Sequence, residues 1–299
     1  MGKRVGAVVG LLVFLAVTVW AQSTPFDVVI RNGHIIDGTG SPWYAGDIGI
    51  REGRIAAIGN LSDAPAKRTI DARGMVVAPG FIDMLGQSEL TILVDPHLPS
   101  KIYQGITTEI TGEGDSVAPQ TDATIQADRV GYEHYHITPD WRTLDQYFQR
   151  LQKQGMGINL GTYVGATQVR RVVLGDKDVQ PTPAQLEQMG VLVDQAMQQG
   201  AMGVSTSLEY APAPYASTEE LIALAKQAAK YGGVYATHMR SEGDGEMASI
   251  DETICIGREA HIPVEIWHIK TAGKRNWGKM PQVVAKIDAA RASGVDITA

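Results

Sequence analysis

Hydrophobic and polar positions along this chain fall into two regimes. From Phe26 to about Arg73 the apolar runs are short: Val28-Val29-Ile30, His34-Ile35-Ile36, Ile48-Gly49-Ile50 and Ile55-Ala56-Ala57-Ile58. Between them stand Asn32-Gly33, Asp37-Gly38 and Glu52-Gly53, dipeptides that accept the positive backbone angles of hairpin turns. This pattern predicts a small β-domain. From Gly74 onward strands and helices alternate, beginning with a continuous apolar run, Met75 to Ile82, of the kind buried on both faces. Further strands are expected at Ile106 to Thr111, Gly157 to Tyr163, Met202 to Leu208, Val234 to His238, Pro263 to His268 and Val295 to Thr298. Thr182-Pro183 opens a helix with Leu186, Met189, Val193 and Ala196 on its inner face and Gly200 at its close. Ser217 to Glu220 reads as a capping box ahead of Leu221, Leu224, Ala225 and Ala228, with Gly232-Gly233 at the far end.

Repeated units of this kind specify an α/β fold with a parallel sheet. The expected architecture is a TIM-like (β/α)8 barrel, with about seven of its eight strands present, behind a small N-terminal β-domain. An open doubly wound sheet is the competing arrangement. The chain stops at Asp296-Ile297-Thr298-Ala299, within or just after the seventh strand. A buried strand with an unpaired ladder is an unusual terminus, so the chain is expected to be a fragment without the eighth strand. The domain reading is therefore a signal peptide over 1–21, an incomplete small β-sandwich over 22–73 and an incomplete barrel over 74–299.

The leader reading rests on Lys3 and Arg4, then the apolar run Val5 to Val19, then Val19-Trp20-Ala21 with small residues at the −3 and −1 positions before Gln22. The run is short for a membrane span, and an exported protein, periplasmic or secreted, is expected. The net charge of −7 comes with scattered Lys and Arg and no basic stripe, which argues against nucleic acid as a partner. After leader cleavage no membrane association is expected either. Cys255 is the only cysteine, so no internal disulfide can form. Its helical surroundings suggest a small core residue.

Two histidines end β-like runs thirty residues apart: Tyr235-Ala236-Thr237-His238 and Val264-Glu265-Ile266-Trp267-His268. In a (β/α) barrel, side chains at strand C-termini line the active-site mouth, so two imidazoles on successive strands can share one metal ion. A lone strand-end histidine is more often a satisfied structural residue; the pairing and its polar flanks (Arg240, Ser241, Glu242, Lys270) favour ligation. Glu113, in the run Thr111-Gly112-Glu113-Gly114-Asp115, is the best third ligand, with Asp115 and Glu109 as alternatives. Two imidazoles and a carboxylate suit Zn2+ with an open position for water. His34, His97, His134, His136 and His261 are not expected to be ligands.

Ala78-Pro79-Gly80-Phe81-Ile82-Asp83 resembles the first barrel strand of the amidohydrolase superfamily. Within it, several runs resemble the N-acyl-D-amino-acid deacylase (D-aminoacylase) family. They are Gln104 to Thr108, Glu209-Tyr210-Ala211-Pro212, Tyr235 to Arg240, His268-Ile269-Lys270 and Asn276-Trp277-Gly278. The resemblance runs from about Asp27 to Ala299. It implies a hydrolase of the linear amide in N-acyl-D-amino acids or D-residue-containing dipeptides, using a zinc-activated water. The residues themselves lead to the expectation of one zinc ion on Glu113, His238 and His268, with Arg240 and Lys270 as cationic donors to a small-molecule substrate's carboxylate and Tyr210 lining its pocket. The family's general base, an Asp on the eighth strand, is expected beyond Ala299, and the chain by itself is expected to be inactive.

Two departures stand out. The family's first-strand His-x-His is replaced here by Leu85 and Gln87, and its cysteine ligand after the second strand has no counterpart in Gly112-Glu113-Gly114-Asp115. A Glu-His-His mononuclear site resembles that of N-acetylglucosamine-6-phosphate deacetylases in the same superfamily. Two alternatives are a cyclic amidase of the hydantoinase or dihydroorotase kind and a non-catalytic binding paralogue. The first generally needs a bridging lysine that this chain does not offer in a convincing place; retention of Glu113, His238 and His268 argues against the second.

Overall fold

The structure, a computed structural model, describes residues 24–299. The expected leader over 1–21 lies outside the described residues. Among these, no helix is long and apolar enough to cross a membrane. The chain divides into two compact units, one running to Pro79 and one from Gly80 to Ala299.

The first unit is a sheet of five strands, β1 (Phe26–Ile35), β2 (Tyr44–Arg51), β3 (Arg54–Gly59), β4 (Ala66–Asp71) and β5 (Val76–Val77). Its path is β3-β2-β1-β4, with β5 also on β1. Glu52-Gly53 makes the expected hairpin: both residues have positive φ, 52° and 70°, and join antiparallel β2 and β3. Asn32-Gly33 does not turn the chain. It forms an irregularity within one long strand, Asn32 at φ 61°, where the register against β2 shifts between Ile30 and Gly33. The buried Asp47 carboxylate accepts the Asn32 N–H at 2.9 Å and the Leu61 N–H at 2.8 Å, satisfying backbone the bulge would leave unpaired.

Met75 to Ile82 is not one strand. Val76–Val77 pairs in parallel with His34 and Ile35 of the first unit, while Phe81–Asp83 opens the second unit as β6. Pro79-Gly80 separates them, and proline offers no N–H to a central ladder. The boundary between units therefore falls after Pro79, past the expected residue 73.

The second unit continues with β7 (Ile106–Thr111), β8 (Asn159–Thr162), β9 (Val164–Gly165), β10 (Gly203–Ser207), β11 (Val234–His238), β12 (Val264–Ile266) and β13 (Ile297–Thr298). All pairings are parallel and sequential: β6-β7-β8 in one sheet, β9-β10-β11-β12-β13 in another. Strands β8 and β9 flank Tyr163 and act as one staggered position, since the Tyr163 N–H donates to Thr111 O (3.0 Å) and the Met202 N–H to Thr162 O (2.9 Å). A doubly wound sheet reverses its strand order at a switch point. No reversal occurs here, and the second unit is a TIM-type α/β barrel with seven strand positions among the described residues.

Helices pack outside these strands through Met189, Val193, Leu221, Leu224, Ile250 and Val283, all buried. Thr182 caps its helix reciprocally with Gln185. Ser217 caps only one way: its Oγ accepts the Glu220 N–H, but the Glu220 carboxylate is taken by Arg170 in a buried ion pair at 2.6 Å. Cys255 is exposed rather than in the core. Ile254 and Ile256 turn inward on either side, and one residue's rotation of about 100° carries the thiol to the outer face. A smaller cluster inside the barrel, Ile110, Tyr163, Ala236 and Trp267 with Leu85 against it, fills the space beneath the strand ends.

Candidate metal centre

One parallel strand end and the connections after two others deliver the site. His238 is the last residue of β11 and is buried. His268 lies two residues beyond β12, not within it as the sequence suggested, and takes φ 41°. That left-handed backbone is costly for a bulky residue, about 1–3 kcal/mol, and persists where surrounding contacts over-determine it. Glu113 follows β7 between Gly112 (φ 89°) and Gly114 (φ 73°). A Cβ on Gly112 would stand 2.6 Å from Tyr163 O, and one on Gly114 2.6 Å from Ser207 N. Ser205 of β10 pins the same turn, its Oγ accepting the Gly114 N–H at 3.1 Å and donating to Gly112 O.

Donor atoms of Glu113, His238 and His268 lie within 4.8 Å of one another. Glu113 Oε1 is 2.9 Å from His238 Nδ1 and 3.7 Å from His268 Nε2. Tetrahedral ligands with bonds of about 2.0–2.1 Å sit about 3.3 Å apart, a value these separations bracket. The set of two nitrogens and one oxygen fits a divalent zinc ion. The rings stand edge to face with centroids 4.6 Å apart.

The alternatives to Glu113 are engaged elsewhere. Glu109 is buried and bound to Lys101 Nζ at 3.2 Å and the Ser88 N–H at 3.2 Å. Asp115 faces Arg171 at 3.7 Å. Gln87 bears on the site in its own way: its Nε2 donates to Glu113 Oε2 at 2.8 Å, orienting the carboxylate. Leu85 packs on the barrel-interior cluster.

Of the residues expected around a substrate, two are at the site. Tyr210 is exposed and its ring stands 5.2 Å from that of His238. Lys270 Nζ lies 3.0 Å from His268 Nδ1. Arg240 is turned to structural work. Its guanidinium donates to Glu252 at 2.9 Å through Nε and Nη2, to Pro214 O at 2.8 Å and to Ala216 O at 3.0 Å, which leaves little for a substrate carboxylate. Period-two placement beside His238 did not reveal this, because β11 ends at His238 and the chain turns away.

Two carboxylates belong to the site that strand-end reasoning did not select. Glu209 Oε2 is 3.2 Å from His238 Nε2. Glu242, buried, has its Oε1 3.0 Å from His268 Nδ1 and 3.8 Å from His238 Nε2, and it also pairs with Lys270. Glu242 stands four residues after His238, a proximity visible in the sequence; its turn back toward His268 was not.

A cleft of ≈ 380 Å3 opens beside Glu113, lined by Gln87, Glu89, Asp115, Tyr132, Gln168 and Arg171 among others. Burial pushes the Glu89 carboxyl up to about 7; the charges of Glu109, Glu113 and Asp115 push the same way, and a backbone hydrogen bond opposes them. One of its oxygens, Oε2, is buried without a hydrogen-bond partner.

A sequentially wound parallel barrel with two imidazoles and a carboxylate gathered at its strand C-termini is the scaffold of a metal-site barrel protein. The amidohydrolase family profile matches residues 68–292, and the chain belongs to that family. The urease alpha-subunit N-terminal domain profile matches residues 15–81. D-aminoacylase of Alcaligenes xylosoxydans xylosoxydans is 38% identical over 278 residues, 91% of this chain and 56% of its own length. A D-aminoacylase structure described by a binuclear metal centre, with one-metal activation and second-metal attenuation, superposes with a TM-score of 0.86 at 38% identity, covering 92% of this chain and 58% of that one. N-acyl-D-glutamate deacylase from Bordetella bronchiseptica was solved with zinc and a phosphonate mimic of the tetrahedral intermediate. It superposes at 0.84 with 37% identity over 92% of this chain and 58% of its own. The chain spans a little over half the length of these relatives.

Proposed function

We propose that this protein hydrolyses the linear amide of N-acyl-D-amino acids or D-residue-containing dipeptides, with one zinc ion held by Glu113, His238 and His268. The observation that carries the reading is the convergence of those three donors at the barrel mouth. The D-aminoacylase and N-acyl-D-glutamate deacylase relatives supply the substrate class. Zinc, when bound, lowers the pKa of water toward 7 and polarises a carbonyl. Around it, this chain's residues orient the ligands and line the site. Gln87 fixes the second oxygen of Glu113, so one carboxylate oxygen is presented to the site. Lys270, beside His268, offers a cation to a substrate carboxylate, and the exposed Tyr210 ring stands edge to face with His238. Leu85 and Gln87 follow β6 at the places of the family's two histidines, and a second donor group, Glu209, His238 and Glu242, shares His238 with the first, which supports one ion rather than two.

Metal content tests the ligand set directly. The purified chain is expected to hold one zinc per molecule, and Glu113→Ala or His238→Ala to lose it; no stoichiometric metal in the wild type would overturn the reading. Hydrolysis is then assayed on N-acetyl-D- and N-acetyl-L-amino acids in the natural gene product that contains this chain, with the D series expected to be turned over. We also infer export, supported by the basic, apolar and small-residue order of residues 1–21. Sequencing the N-terminus of the secreted fraction should read from Gln22.

A further inference from the structure

We propose that Glu242 is the positioning residue of this site, selecting the tautomer of His268 that leaves Nε2 free to ligate. The inference rests on the ligand set proposed above and deepens it. His268 presents Nε2 toward Glu113 and Nδ1 toward two groups of opposite character, the Glu242 carboxylate at 3.0 Å and the Lys270 ammonium at 3.0 Å. A neutral imidazole carries its proton on one nitrogen only. If the ammonium donates into Nδ1, the proton sits on Nε2 and blocks ligation. If the carboxylate accepts from Nδ1–H, Nε2 keeps its lone pair for a metal. Glu242 favours the second state twice over, because it accepts from Nδ1 and also draws the Lys270 ammonium onto itself.

The loop geometry makes this arrangement fixed rather than incidental. The Glu242 side chain is 7% exposed, against 51% for Glu209, which contacts His238 from the solvent side. The Ala272 N–H donates to Glu242 O at 2.6 Å, tying the loop after β11 to the loop after β12. Asn276 extends the tie, donating to Ala272 O at 2.8 Å and Asp244 Oδ1 at 3.0 Å. The Ser241 N–H is held by Ser249 Oγ at 2.9 Å. A carboxylate held this way can orient a ligand histidine, a second layer whose loss typically weakens metal binding by about 10–100-fold.

The test uses the full chain and two readouts that need no turnover: zinc affinity by competition with a chromophoric chelator, and histidine 15N shifts in the metal-free protein. Glu242→Leu is expected to weaken zinc by about 10–100-fold and to move the His268 proton from Nδ1 to Nε2. Adding Lys270→Met to Glu242→Leu removes the competing donor and should recover much of the affinity; Lys270→Met alone should not weaken zinc. Glu242→Met, similar in length and without an acceptor oxygen, carries the same test should the leucine variant fail to fold. Zinc affinity within twofold of wild type in a folded Glu242 variant, or an unchanged His268 tautomer, overturns the proposal. No zinc uptake by the wild-type chain overturns the ligand set as well, so the two failures are distinguishable.

Discussion

Each ring of the His238–His268 pair uses both of its nitrogens, one toward Glu113 and one toward an outer carboxylate. Glu89 lines the cleft beside Glu113, and its behaviour gives a prediction at the scale of one residue. Its carboxyl, pushed up to about 7 chiefly by burial, keeps its proton in the fold after the unfolded chain, near 4.3, has released its own. The contribution to stability is complete below pH 4 and is lost as pH rises through 7. Glu89→Gln keeps the neutral shape at every pH. It should therefore match wild type near pH 4 and exceed it near pH 8 by on the order of 3–4 kcal/mol, read from urea midpoints. An equal offset at both pH values would show that the carboxyl is already ionised in the fold.

At the scale of elements, periodicity revealed what local sequence controls. Thr182-Pro183 reads as a helix start and is one, because the cap is made by Gln185 three residues on. His238 was legible as a strand end because β11 carries Tyr235 to His238 straight to the mouth. What the sequence hid depended on distant partners. Asn32-Gly33 is a bulge because β1 continues against β2 and β4, and Val76-Val77 joins the first unit because β1 has an edge to offer. Arg240 was lost to Glu252, a partner one helix away. The turn around Glu113 tests this view: Gly114→Ala places a Cβ 2.6 Å from Ser207 N at φ 73°, so it should displace Glu113 and weaken zinc at least tenfold. Thr182→Ala, by contrast, should cost about 1 kcal/mol of stability through the lost cap and leave zinc affinity unchanged. Comparing thermal melts with zinc titrations separates the two classes of effect.

At the scale of the molecule, the three proposed ligands come from the end of β11 and from the connections after β7 and β12, strands that lie on two separate sheets of the barrel unit. The connection after β7 is also bound to β10 through Ser205, and that after β12 to the loop carrying Glu242. A zinc ion at the mouth would therefore tie the β6-β7-β8 sheet to the β9–β13 sheet, which otherwise meet in backbone pairing at the staggered β8–β9 position. Binding to the folded state alone adds RT ln(1 + [L]/Kd), about 2.7 kcal/mol when free zinc is about a hundredfold above Kd. For a unit of this size that corresponds to a rise of roughly 5–10 °C in its melting temperature. The shift should appear with buffered zinc, vanish with chelator, and be absent in His268→Ala, whose ligand set is incomplete. Because the linkage is to folding of the barrel unit, calorimetry should show the shift in that unit's transition; a wild-type melt indifferent to zinc would mean that the ligands do not grip an ion across the two sheets.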